Sequence, residues 1–159
     1  MATTETSLYR AIIDGTFDCD LIADGKPVTG VLYPRFESTT YVTSSGDEKT
    51  SPADVVVHAM ESGDEVDAGG GTSMFDVDGW FGDSGWRYFQ VPEGTEYPAC
   101  LKIKRGRRKR RNRTGTREGR HYQIEPLNRM TVEAYKGALD NFARAAVVRQ
   151  VELAQSTDA

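Results

Sequence analysis

Two adjacent hydroxyls follow a run of three glycines in the middle of the chain, and these residue types could bind or act on a ligand. The segment 68–76 reads Ala-Gly-Gly-Gly-Thr-Ser-Met-Phe-Asp, so Thr72 and Ser73 come directly after Gly71. Because glycine has no Cβ, backbone N–H groups in such a turn can approach a ligand closely. The alternative is a flexible loop that ends in a strand start or a cap, and the residues alone favour it.

Two common glycine-rich motifs do not fit this segment. A phosphate-binding loop needs a lysine before its Ser or Thr, and Gly71-Thr72-Ser73 has none. A hydrolase nucleophile elbow needs a glycine at the position where Phe75 stands. No His or Lys lies close by in the sequence to activate a hydroxyl, so Thr72 and Ser73 are better suited to positioning than to nucleophilic attack.

An arginine near the start is a second candidate. The apolar run from Leu8 to Ile13 predicts a first strand, in which Leu8, Arg10 and Ile12 share one face. A guanidinium between two apolar side chains either lies along the sheet with its head in water or points into a cleft to bind an anion. The residues alone favour the first of these alternatives.

A late strand is predicted from the sequence His-Tyr-Gln-Ile-Glu that begins at His121. Alternation puts His121, Gln123 and Glu125 on one face, with Tyr122 and Ile124 on the other. A face with an imidazole, an amide and a carboxylate is either the solvent side or a polar cleft. We assign Gln123 and Glu125 to the solvent side.

The elements that position these residues include one helix over residues 131–153. Thr131 is predicted to cap it, and a stripe at helical spacing is predicted to face the core. The stripe consists of Tyr135, Leu139, Phe142 and Ala146. Residues 154–159 are predicted to be a frayed tail, and the whole chain, 1–159, is predicted to be a single domain.

Composition excludes several classes of protein. No apolar run approaches the roughly 20 residues that a membrane helix needs, so no membrane association is expected. The N-terminus has no basic or apolar signal region, which predicts synthesis in the cytoplasm without a secretory signal. The chain has two Cys and two His, far apart in the sequence, which predicts reduced thiols and no metal site.

Charge is distributed very unevenly along the chain. Residues 102–120 hold eleven Lys or Arg and one acid, a charge of +10, whereas the other residues hold nine basic and twenty-three acidic side chains, a charge of −14, within a net charge of −4. We predict a basic hairpin loop over 105–120. It is either a solvated tip, a nuclear address, or a finger that binds nucleic acid through phosphates without sequence specificity, since it has no aromatic residue.

Three patches together resemble a known family. They are Ser-Leu-Tyr-Arg-Ala at 7–11, Gly-Gly-Thr-Ser-Met-Phe-Asp at 70–76, and Arg-His-Tyr-Gln-Ile at 120–124 followed by Leu-Asp-Asn-Phe-Ala-Arg at 139–144. In this order they resemble the Tse-type toxins, NAD-dependent effectors that bacteria deliver through the type VI secretion system. The fold of these toxins is similar to that of ADP-ribosyltransferases.

The resemblance implies an α+β domain with split antiparallel β-sheets of the ADP-ribosyltransferase type and a C-terminal helix. It implies a cytotoxic effector that acts in the cytoplasm of a target cell, with NAD as the substrate that donates ADP-ribose to a macromolecule or is hydrolysed. It also implies a cognate immunity protein. The alternative from another class is a non-enzymatic protein that binds nucleic acid through residues 102–120.

The resemblance also implies roles for individual residues. Arg10 contacts the dinucleotide phosphates, Thr72 and Ser73 hold the nicotinamide-side ribose and its supporting strand, and His121 orients the reacting sugar. The residues expected to bind NAD are Tyr9, Arg10, Gly71, Thr72, Ser73 and Tyr122. Cleavage of an N-glycosidic bond through an oxocarbenium-like state needs positioning and charge stabilisation more than a strong nucleophile, which suits these residue types.

The late strand departs from many transferases of this fold. Those enzymes have a Gln-x-Glu or Glu-x-Glu pair, and Gln123 and Glu125 have that spacing. The Tse-type pattern lies instead on His121 and Tyr122 and does not require the glutamate. We therefore assign the late-strand role to His121 ahead of Glu125.

Overall fold

The computed structural model describes residues 2–110 and 118–157, which form an α+β fold of short antiparallel strands and one C-terminal helix. The strands are β1 Ala2–Thr3, β2 Leu8–Ile13, β3 Ile22–Ala23, β4 Lys26–Pro27, β5 Thr39–Val42, β6 Glu48–Ser51, β7 Val57–His58, β8 Glu65–Val66, β9 Thr72–Phe75, β10 Trp86–Val91, β11 Glu96–Tyr97, β12 Leu101–Arg110, β13 Glu118–Pro126 and β14 Met130–Thr131, and the helix is α1 Val132–Thr157.

The main sheet has the strand order β10-β2-β9-β13-β12, with every neighbouring pair antiparallel. Strands β2 and β10 pair along their whole length, and β9 pairs with β13 from Thr72 to Phe75. Between β2 and β9, however, the paired register consists of Tyr9 opposite Phe75 alone. The sheet is therefore joined at Tyr9 and split beyond it, which confirms the predicted split antiparallel architecture.

The inner face of the first strand is apolar, as alternation predicts. Leu8 and Ile12 are buried, and Leu8 lies opposite the buried Val91 of β10. Burial of such side chains contributes about 1.5–3 kcal/mol each, so this strand is held firmly against the core. Arg10 shares the inner face with them and must place its guanidinium between apolar neighbours.

The helix packs on β10 and β11 through the predicted stripe. All four stripe residues are fully buried, and the Ala134 backbone N–H donates to Thr131 Oγ1 at 3.1 Å, so the stripe and the cap are both confirmed. The prediction that residues 154–159 fray is wrong for 154–157, which continue α1, while 158–159 lie outside the described residues. Once a helix has formed, each further residue adds a hydrogen bond at a small cost in conformational entropy, so α1 can extend beyond its last contact with the core.

The prediction of a basic loop over 105–120 is wrong for every described residue in that range. β12 extends through Arg110 and β13 begins at Glu118, while residues 111–117 lie outside the described part of the chain. Strand β12 is at the edge of the sheet, where charged side chains reach water while the backbone still pairs. The charge run was therefore compatible with a strand.

Further findings concern membrane helices, metal sites and cysteines. Within residues 2–110 and 118–157, no helix is both long enough and apolar enough to cross a bilayer, and no three His, Cys, Asp or Glu side chains are grouped so that they could hold a metal ion. Cys19 and Cys100 are free and exposed, in agreement with the predicted thiols.

Candidate active site

A cleft of about 780 Å³ opens where β2 and β9 separate. This volume is in the range of sites that hold small molecules. Both separating strands and the loop that follows β4 contribute to its walls. Among the residues that line it are Arg10, Ile12, Tyr33, Asp54, Ser73, Phe75, Phe81, Trp86, Lys109 and His121.

Arg10 lies immediately beyond the joint between the two strands. Its Nη1 donates to the Ser73 carbonyl at 3.1 Å and its Nη2 donates to the Tyr33 carbonyl at 3.0 Å. Its Nε is buried and has no hydrogen-bond partner, and no carboxylate within the described residues forms an ion pair with it. The geometry thus favours the cleft alternative for Arg10 over the solvent alternative.

Burial lowers the pKa of Arg10 from its ordinary value, and the nearby Asp54 carboxylate opposes that effect. An arginine nevertheless keeps its proton in proteins, because its ordinary pKa is so far above neutrality. Arg10 is therefore a positive charge whose neighbours are two neutral carbonyls and no bonded carboxylate. An anion that enters the cleft would compensate this charge.

The Tyr33 carbonyl, one of the two that accept from Arg10, lies in a loop that is hydrogen-bonded to the helix α1. Asp140 of α1 accepts hydrogen bonds from the Gly30 backbone N–H at 3.0 Å and from the Tyr33 hydroxyl at 2.6 Å. Burial, together with the Asp140 carboxylate, raises the pKa of Tyr33 to about 12, so the hydroxyl remains a donor at neutral pH. Asp140 thus holds the loop that positions Arg10, a link that the sequence patterns did not reveal.

The two hydroxyls after the glycines have different environments. Thr72 is fully buried, and its Oγ1 donates to the Leu32 carbonyl at 2.5 Å, so its side chain does not line the cleft. Ser73 is half-buried and lines the cleft beside Arg10. Neighbouring residues of a strand point to opposite faces, which explains the difference.

The glycines serve the close packing of the protein's own backbone. A Cβ on Gly71 would lie 1.9 Å from the Ile124 carbonyl oxygen, and a Cβ on Gly70 would lie 2.4 Å from the Asp54 carbonyl oxygen. The space beside these glycines is therefore filled by β13 and by the segment at Asp54. Gly71 is buried between strands. The expectation that this turn brings backbone amides close to a ligand is therefore wrong for Gly71.

His121 lines the same cleft as Arg10 and Ser73. Its ring packs edge-on against Phe75, with 5.4 Å between ring centroids. Burial lowers the pKa of His121 below its ordinary value, and the positive charge of Lys109 lowers it further. The imidazole is therefore neutral at pH 7 and can act as a hydrogen-bonding group rather than as a cation.

Aromatic rings form one wall of the cleft. Phe75 stacks on Trp80 with centroids 4.8 Å apart, and Phe81 stacks on Trp86 at 4.4 Å. Phe75 and Phe81 meet edge to face at 5.7 Å, which joins the two stacks. Phe75, Phe81 and Trp86 line the cleft and present flat apolar surface to it. The density of aromatic residues in 75–89 was the signal for this wall in the sequence.

The assignment of Glu125 to the solvent side is wrong. Its side chain is 1% exposed, accepts a hydrogen bond from the Gly69 N–H at 3.2 Å, and lies 3.2 Å from Gln123 Nε2 and 3.9 Å from Lys102 Nζ. The alternation was right, but the loop that contains Gly69 covers this part of the face. Glu125 therefore stabilises that loop and does not line the cleft.

Two further candidates lie away from the cleft walls. Tyr9 forms the joint of the sheet opposite Phe75, and it is half-buried. Tyr122 lines a separate pocket of about 140 Å³ together with Leu8 and Ile103, because it points to the opposite face from His121. The structure thus brings Arg10, Ser73 and His121 together. It leaves Tyr9, Gly71, Thr72 and Tyr122 as supporting neighbours.

A family model described as Tse2 ADP-ribosyltransferase toxin matches residues 6–151. The chain belongs to this family. A curated relative, Toxin Tse2 of Pseudomonas aeruginosa, is 33% identical over 165 residues, which cover 96% of this chain and 94% of the relative. Membership confirms the resemblance found in the three sequence patches, and the split sheet with its C-terminal helix is consistent with the ADP-ribosyltransferase fold.

Proposed function

We propose that this chain is a toxin that uses NAD as its substrate, bound in the cleft between β2 and β9. The main support is Arg10, a cation that lies at the split of the sheet. Its Nε is buried and has no hydrogen-bond partner, and it forms no ion pair with a carboxylate of the described residues. A pyrophosphate would supply the missing negative charge. Family membership adds the reaction class, ADP-ribosyl transfer.

The cleft suits the parts of a dinucleotide. A guanidinium has planar donors that match phosphate oxygens, and two of the Arg10 nitrogens already hold the fork in place. Flat rings such as Phe81 and Trp86 can stack on a nicotinamide or an adenine. The volume of about 780 Å³ is large enough for one such ligand.

We assign the residues as follows. Arg10 binds the phosphates, Ser73 and the neutral His121 position the sugar next to the bond that breaks, and Thr72 fixes the strand on which Ser73 lies. In the reaction the bond between the ribose C1′ and the nicotinamide nitrogen breaks, and its electron pair leaves with nicotinamide. The Ser73 hydroxyl oxygen and the unprotonated nitrogen of the neutral His121 ring then direct the negative ends of their dipoles at the positive charge that develops on the sugar.

The proposal extends to the biological use of the toxin. We infer that the chain is delivered into a target cell, as an effector of a type VI secretion system, and acts in the cytoplasm there. A producing cell then needs a cognate immunity protein, and the mouth of the cleft is the surface that such a protein would have to cover.

Growth of a host that expresses the chain tests the proposal. The Ser73→Ala variant should abolish growth arrest and the fall of cellular NAD, because Ser73 lines the cleft and no side-chain hydrogen bond in the described residues holds it. Ser38→Ala, an exposed position outside the cleft lining, is the matched control and should arrest growth like the wild type.

Equal arrest by all three forms at matched soluble protein would argue against the cleft. It would instead favour the non-enzymatic alternative, in which residues 102–120 bind nucleic acid. Thr72→Ala is a poor substitute in this test, since loss of its buried hydrogen bond should lower the free energy of unfolding by about 1–3 kcal/mol.

A further inference from the structure

We propose that the acceptor of the ADP-ribosyl group is a nucleic acid, whose phosphates bind a row of lysines on β12 that leads into the cleft. The lysine row consists of Lys102, Lys104 and Lys109. This proposal rests on the use of NAD in the cleft and adds the chemical class of the second substrate.

The register of the sheet places the lysine row on the face of Ser73 and His121. Lys104 lies opposite Gln123, and Gln123 lies opposite Ser73. Directly paired residues of antiparallel strands project to the same side of the sheet. Lys104 therefore shares a face with Ser73, and the alternation of β12 puts Lys102 there as well.

An irregularity in the hairpin brings the third lysine to the same face. Arg105 lies opposite Tyr122, whereas Arg108 lies opposite Arg120, so β12 has one extra residue between these pairs. The extra residue reverses the alternation that follows, and Lys109 instead of Arg108 projects toward the cleft. Lys109 accordingly lines the cleft together with His121.

A side-chain hydrogen bond and a close backbone contact hold the bulge in place. The Arg120 guanidinium donates to the Gly106 carbonyl at 2.9 Å, and a Cβ on Gly106 would lie 2.5 Å from the His121 carbonyl oxygen. Only glycine fits there without a shift of β13. Bulges beside an active site commonly serve to redirect a side chain, and here the redirected side chain is Lys109.

Charged edge strands have a simpler explanation, protection of the sheet from pairing with other chains. A few charges suffice for that purpose, and they need not enter a cleft, whereas Lys109 lines one. The basic charge is also concentrated, since residues 102–120 have a charge of +10 and the remainder has −14. Such a charge distribution attracts polyanions to the basic region and repels them from the acidic remainder of the molecule.

A nucleic acid fits this arrangement better than an acidic protein. Its negative charges repeat along one strand, so a single strand can contact several lysines of β12 and continue from the row into the cleft. A nitrogen or oxygen nucleophile of the nucleic acid then bonds to C1′ of the ribose as nicotinamide leaves with the electron pair of the broken bond. The nucleophile releases its proton to solvent.

Binding can be measured without NAD. The probes are fluorescent single-stranded RNA and DNA of one mixed sequence, and the variant is Lys104→Glu/Lys109→Glu, which reverses two exposed charges of the lysine row. We expect at least about tenfold weaker binding of both probes. The slope of log K against the logarithm of the salt concentration should become shallower by about 1.4, since each lost phosphate contact removes about 0.7 from it. Lys26→Glu/Lys49→Glu, an equal change of charge on exposed positions of β4 and β6, should have less than about a threefold effect. Equal weakening by both variants would overturn the proposal.

The acceptor itself is identified with wild-type protein and NAD that is labelled in its phosphates. RNA, DNA and a nuclease-treated protein extract are offered separately, and nicotinamide release is followed in parallel. Label that nuclease removes from RNA or DNA supports the proposal and tells the two polymers apart. Nicotinamide release with label only in protein or in free ADP-ribose overturns the acceptor while leaving the use of NAD intact. No nicotinamide release with any of the three overturns both proposals.

Discussion

His121 illustrates how the environment of a single residue sets its chemistry. Burial and Lys109 lower its pKa, so the folded chain takes up the histidine proton at a lower pH than the unfolded chain, whose histidine titrates near the ordinary value of 6.5. The unfolded state therefore binds more protons in this window. The free energy of unfolding should be at its full value above about pH 6.5 and should decrease as the pH falls below it.

The prediction is tested by comparing wild type with His121→Asn. Between about pH 7.5 and about pH 5.5 the wild type should lose more free energy of unfolding than the variant, because only the wild type has this half-buried imidazole. His58 is present in both proteins and therefore does not contribute to the difference between the curves. Parallel pH curves for the two proteins would show that His121 is not buried as described.

At the scale of an element, β9 depends on glycines that allow it to approach its neighbours. A side chain at Gly71 would collide with the Ile124 carbonyl, which belongs to the backbone of β13 and cannot rotate away. Gly71→Ala should therefore lower the free energy of unfolding by roughly 3 kcal/mol or more, measured by denaturant titration.

Gly137 provides the matched control for this substitution. It lies in α1, and a Cβ there would meet no atom within 4 Å apart from its chain neighbours and the backbone of its own helix. Gly137→Ala should raise the free energy of unfolding by about 0.8–1 kcal/mol through the higher helix propensity of alanine. If Gly71→Ala is tolerated as well as Gly137→Ala, the close contact between β9 and β13 is wrong.

The elements also show what local sequence can predict. The strand Leu8–Ile13 and the stripe of α1 follow from hydrophobic periodicity, which depends on neighbours in the sequence, and both are confirmed. The burial of Glu125 depends on a loop more than fifty residues earlier in the chain, so strand alternation alone assigns it to the wrong environment. The basic run resembles a loop in composition, yet an edge strand solvates its charges equally well.

The same distinction applies to the candidate site. Arg10, Ser73 and His121 were found in the sequence through their resemblance to a family, and the structure brings them to one cleft. The difference between Thr72 and Ser73 could not be assigned without knowing which face of β9 is buried. The role of Asp140 in holding the loop of Tyr33 links positions more than a hundred residues apart, and no local pattern indicates it.

For the whole molecule, the split of the sheet, an arginine that forms no ion pair within the described residues, and Lys109 at the end of the lysine row meet in one cleft. The acidic remainder of the surface would confine a polyanionic acceptor to this side, while the C-terminal helix secures the loop behind Arg10. Binding of NAD at Arg10 is the claim on which the account depends.

The most direct test is nicotinamide release from NAD by purified wild type and Arg10→Gln, with circular dichroism to confirm equal folding. Hydrogen bonds to a charged group contribute about 1.5–3 kcal/mol each and a guanidinium can donate two to phosphate, so kcat/KM for the variant should fall by at least about a hundredfold. Arg10→Lys, which keeps the charge but not the planar fork, should lie between the two. Equal kcat/KM for wild type and folded Arg10→Gln would contradict the account.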